Sequence, residues 1–119
     1  MVLPEFTERL QTKEVREGEA VQFTVRLSGC PPPEVTWYRE GMQIMSSPDF
    51  TISQSGDLHT LYIPEVFYED SGKFTVKAES LAGQTQCTAE LIVEGVLSIM
   101  NLHHPFILTL NYVRNFICE

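Results

Sequence analysis

Apolar and polar residues alternate one by one through much of the first 94 residues, the pattern of strands with one buried face. Val21, Phe23, Val25 and Leu27 share one face of a predicted strand, with Gln22, Thr24 and Arg26 on the other. Val35 and Trp37 define a second strand, and Leu61 and Ile63, preceded by His59, define another. Phe74, Val76 and Ala78 alternate with Lys73, Thr75 and Lys77, as Cys87, Ala89, Leu91 and Val93 do with Thr88, Glu90 and Ile92. Phe50-Thr51-Ile52 reads as a shorter strand. Glu40-Gly41, Ser55-Gly56-Asp57 and Ala82-Gly83 are the turn signals between these runs. Ser28-Gly29-Cys30-Pro31-Pro32-Pro33 is expected to end the ladder after Leu27, because proline has no N–H to donate. No helical stripe precedes Gly95. Short strands punctuated in this way predict an all-β antiparallel sandwich or barrel rather than alternating strands and helices.

Several separated motifs, in order, then resemble an immunoglobulin domain of the intermediate set. They are Glu17-Gly18-Glu19, Pro33-Glu34-Val35-Thr36-Trp37-Tyr38 with Glu40-Gly41, Leu61-Tyr62-Ile63, Asp70-Ser71-Gly72-Lys73-Phe74 and Ala89-Glu90-Leu91-Ile92-Val93. Val15-Arg16-Glu17-Gly18-Glu19 and Ile63-Pro64-Glu65-Val66 resemble the variety found in the titin-like sarcomeric and cytoskeletal family. The resemblance covers roughly residues 3–94. It implies a two-sheet antiparallel sandwich over residues 1–94, with a core framework of Val25, Trp37, Leu61, Asp70, Gly72, Phe74, Val76 and Leu91.

The chain departs from that pattern at three places. Immunoglobulin sandwiches usually join their sheets by a disulfide against which the tryptophan packs. Val25 and Val76 stand at both cysteine positions, so no inter-sheet disulfide is expected. Valines fill much of the same space but forgo a cross-link whose removal typically costs about 2–5 kcal/mol. Phe74 stands where the corner tyrosine is usual and forgoes a hydroxyl hydrogen bond worth about 0.5–1.5 kcal/mol. Asp70 is expected to accept backbone amides in the turn before its strand.

Composition narrows the class. The formal net charge of -8 lies entirely before Gly95, since Arg114 and Glu119, the charged residues beyond it, cancel. An acidic domain without a basic stripe is a poor nucleic-acid binder. Pro4, Glu5 and Glu8 interrupt any secretory signal at the start, and no Asn-x-Ser/Thr acceptor occurs. With the missing disulfide, these features point to a reducing, cytoplasmic setting. No catalytic constellation, phosphate loop or metal-spaced cysteine pair is present, so neither enzymatic activity nor a cofactor or metal is expected. His59 reads as a strand-end residue rather than a base, Cys87 as a small core residue and Cys30 as an exposed loop thiol. Pro31-Pro32-Pro33 could mimic a ligand for a proline-binding module but reads better as a stiff connection. The edge of the first or last strand is the better candidate for partner binding.

Composition changes after Glu94. Residues 95–119 form an apolar, charge-poor tail that resembles no part of the immunoglobulin pattern. Asn101, His103, His104, Pro105, Asn111, Arg114 and Asn115 argue against a membrane span, which needs about 20 predominantly apolar residues. Adjacent His103 and His104 point apart and make no metal site with Cys118. The tail is expected to be a weakly ordered, unusual terminus, ahead of a segment that folds on a partner or one that associates with a membrane. The resemblance implies a structural and protein-interaction module giving mechanical continuity beside neighbouring immunoglobulin domains, with sarcomeric or actin-cytoskeletal partners. The alternative is a cell-surface adhesion or receptor domain whose C-terminal segment meets the membrane.

Overall fold

The structure, a computed structural model, describes residues 1–95. Beyond Gly95, the segment read above as a tail lies outside the described residues, Cys118 included.

The strands, in chain order, are β1 (Val2–Glu8), β2 (Lys13–Arg16), β3 (Val21–Cys30), β4 (Glu34–Arg39), β5 (Met42–Gln43), β6 (Thr51–Ser55), β7 (Leu58–Ile63), β8 (Gly72–Ser80) and β9 (Gly83–Glu94). A 3-10 turn at Tyr68–Asp70 precedes β8. They form a four-stranded sheet, β1-β3-β7-β6, and a five-stranded sheet, β2-β9-β8-β4-β5. Period-two patterning places Phe23, Val25 and Leu27 of β3 and Leu61 and Ile63 of β7 on the inner face of the first sheet. Trp37, Phe74, Val76 and Leu91 occupy the inner face of the second. The rings of Phe23 and Phe74 stack across the gap, with centroids 5.0 Å apart.

Two features depart from the expected pattern. The β3 ladder continues past Leu27 to Cys30, with Ser28 opposite Glu5 and Cys30 opposite Val2. Gly29 makes this possible: at φ +144° it adopts a conformation unfavourable to side chains, and a Cβ there would lie 3.1 Å from the Pro4 Cα. The proline run ends the strand only after that bulged stretch. The second departure is that β2 pairs with β9 in parallel, Lys13–Arg16 alongside Leu91–Glu94. The chain crosses from the first sheet to the second between β1 and β2, carrying buried Leu10 with it.

Candidate functional site

The strand directions gather the loops at two poles. At one, three carboxylates take backbone N–H groups. Phe67 N donates to Asp70 Oδ2 at 2.7 Å, Tyr68 N to Glu17 Oε2 at 3.0 Å and Lys73 N to Glu40 Oε2 at 2.7 Å. Ionised acceptors make these stronger than neutral hydrogen bonds. Gly18 N donates to Val66 O, and Val66 N to Glu19 O, so the β2–β3 turn is tied to the segment after β7. Gly72, at φ +147°, admits the Glu40 side chain: a Cβ would lie 2.6 Å from Glu40 Oε2. Glu17 and Glu40 perform the same task as Asp70, yet no local motif marks them, because their partners lie 51 and 33 residues away.

At the other pole the sheets part around a groove of about 650 Å³. Ile52, Ser53 and Gln54 of β6 form one wall, Val35 and Trp37 of β4 the other, and His59 lies between them. The Trp37 indole N–H is buried and has no acceptor among the described residues. His59, the second residue of β7, is also buried, and this desolvation holds its pKa below the ordinary imidazole value, partly offset by the negative charge of Asp57.

The framework residues Val25, Trp37, Leu61, Phe74, Val76 and Leu91 all lie in the one core between the sheets, while Asp70 and Gly72 sit at the first pole. Val25 on β3 and Val76 on β8 are fully buried on facing sheets. Cys87 is buried opposite Val76 in register, whereas Cys30 is exposed at the end of β3 rather than in a free loop. Among the described residues, no group of three or more His, Cys, Asp or Glu is placed to hold a metal ion, and no helix is long and apolar enough to cross a membrane.

A two-sheet sandwich with a tryptophan-centred core defines an immunoglobulin-like domain. Residues 4–93 match the Immunoglobulin I-set domain, and the chain belongs to that family. It is 44% identical over 95 residues to myopalladin from Mus musculus, which covers 80% of this chain and 7% of myopalladin. It is 45% identical over 98 residues to titin from Drosophila melanogaster, covering 82% of this chain and, to the nearest per cent, 0% of titin. The chain thus spans a small fraction of the relatives it matches. The solved structure of titin domains Z1Z2 in complex with telethonin shares 49% identity at a TM-score of 0.75, covering 77% of this chain and 47% of that one.

Proposed function

We propose that residues 1–94 form one non-enzymatic immunoglobulin link of a titin-like muscle or cytoskeletal protein, transmitting load and docking other proteins at the sarcomere or actin cytoskeleton. The observation that carries this reading is the parallel β2–β9 pair. Tension between the chain's two directions runs along these strands, so their hydrogen bonds are loaded together in shear rather than opened one at a time. Docking is served by β9 between Gln84 and Ala89, ahead of the stretch that β2 covers. The titin relative solved with telethonin supports a protein as the kind of partner.

Single-molecule pulling on the full chain tests the mechanical part. Val15→Pro removes a donor from β2 and is expected to lower the unfolding force while the sandwich still folds. An unfolding force equal to that of the unsubstituted chain would overturn it. Cell fractionation tests location: recovery with membranes rather than with the myofibrillar or actin pellet would count against this reading.

A further inference from the structure

Most serines and threonines among the described residues lie in strands, where their backbones are committed to ladders. Thr12, Ser46, Ser47 and Ser71 lie outside them. Thr12 is pinned to β9, its hydroxyl accepting the Glu90 N–H at 3.1 Å. Ser71 is half-buried and closes the 3-10 turn, its N–H donating to Tyr68 O. Ser46 and Ser47 belong to a different kind of segment.

β5 ends at Gln43 and β6 begins at Thr51. Between them, buried Ile44 and half-buried Phe50 anchor the two ends of the connection to the core. Met45, Ser46, Ser47, Pro48 and Asp49 are all exposed and in no ladder. Ser47 N donates to Phe50 O at 2.8 Å and Phe50 N to Ser47 O at 3.2 Å. The Ser47 hydroxyl oxygen also accepts the N–H groups of Asp49 and Phe50, each at 3.2 Å. Drawing the segment into an extended shape breaks these bonds around Ser47 and no strand pairing. Ser47 precedes Pro48, and no other serine or threonine of the chain precedes a proline. Proline biases Ser47 toward an extended backbone and carries no N–H that an enzyme must satisfy. An enzyme site shaped for that ring leaves the N–H of any other residue unpaired.

We propose that Ser47 is a phosphorylation site for a proline-directed protein kinase. Ser47 Oγ forms a bond to the γ-phosphorus of ATP as the bond from that phosphorus to the β–γ bridging oxygen breaks. ADP leaves with the electron pair, and the hydroxyl proton passes to the kinase's base. The phosphate adds a charge of about −1.5 to −2. Asp49, Glu65 and Asp70, which line a shallow hollow with Phe50, oppose that charge. Water and salt screen them, over a distance of about 8 Å at physiological ionic strength. The Asp49 and Phe50 N–H groups already point at the Ser47 oxygen and meet the phosphate at hydrogen-bond range, where an ionised acceptor is strong. The modified turn therefore keeps its shape, with the phosphate oxygens taking over both donors. The site is separate from the β9 edge and does not depend on what binds there.

The test is incubation of the folded full chain with a purified mitogen-activated protein kinase and Mg-ATP, read by intact mass and fragment sequencing. One phosphate on Ser47 is expected. Ser47→Ala should abolish the transfer, Ser46→Ala should leave its rate unchanged, and Pro48→Ala should slow it at least about tenfold. All three side chains are exposed, so the variants should fold normally. In NMR spectra of the phosphorylated chain, the amide protons of Asp49 and Phe50 should move downfield while those of the strands stay in place. Absence of transfer, transfer to another residue, or transfer only to the urea-unfolded chain would overturn the proposal. So would an unchanged rate in Pro48→Ala, or unmoved Asp49 and Phe50 amides after phosphorylation.

Discussion

The pole around Gly72 and the pole around Trp37 belong to one sandwich but differ in how their polar groups are satisfied. Near Gly72, the carboxylates of Glu17, Glu40 and Asp70 each receive a backbone N–H, and the loops are tied to one another by main-chain bonds. Near Trp37, an indole N–H is buried without an acceptor among the described residues, desolvation lowers the pKa of an imidazole, and two strand edges face a groove. The contrast separates specification from availability. Loops that satisfy themselves fix one conformation, whereas a pole with unmet hydrogen-bonding capacity has something left to offer a partner.

The largest expected effect lies in the core that both poles share. Phe74→Ala removes a fully buried ring stacked on Phe23 and should cost about 3–5 kcal/mol in urea unfolding. Next comes Gly72→Ala, which puts a Cβ at a left-handed φ against the Glu40 carboxylate, for a loss of about 1–3 kcal/mol. If the crowding contributes, Glu40→Ala in the same background should show non-additive coupling in a double-mutant cycle. Asp70→Ala leaves the Phe67 N–H without its acceptor and should cost about 1–2 kcal/mol. Its counterpart at the open pole, Ser53→Ala, should stay within about 0.5 kcal/mol of no change. Equal losses at Asp70 and Ser53 would erase the distinction between the poles.

The smallest expected effect is a pH dependence. His59 is harder to protonate in the folded chain than in the unfolded one, so the unfolded state binds more protons as acid is added. Its contribution is therefore present above the unfolded imidazole value of about 6.5 and is lost as pH falls below it. The urea midpoint should drop between about pH 7.5 and pH 5.5, above the range where most carboxylates titrate. His59→Gln should flatten that drop, and a variant with the same drop would remove His59 as its cause.

How much of this was legible depended on the range over which the signal acts. The buried faces of β3, β7, β8 and β9 follow from alternation alone, because every second residue meets the same core. β5 is too short for any period, and β2 shows only half-buried Lys13 and Val15 between exposed neighbours. Asp70 was readable from its turn, where donor and acceptor are three residues apart. Glu17 and Glu40 were not, since their partners arrive only when distant strands meet. The groove was hidden for the same reason: Val35 and Ile52 belong to different sheets, and no local pattern shows that their strands diverge there.

The passage of the chain from β1 to β2 limits how this domain can be cut. Phe6 just before that crossing and Leu10 within it enter the core, and the strands flanking it cover the outer edges of β3 and of the end of β9. Trimming up to Lys13 would therefore strip one strand from the first sheet, uncover β3, and leave β2 without the segment that anchors it. A boundary drawn for expression, or a circular permutation opened in that segment, should yield a sticky, poorly soluble product. An opening in the Gly56 turn, which joins only the neighbouring strands β6 and β7, should be far better tolerated.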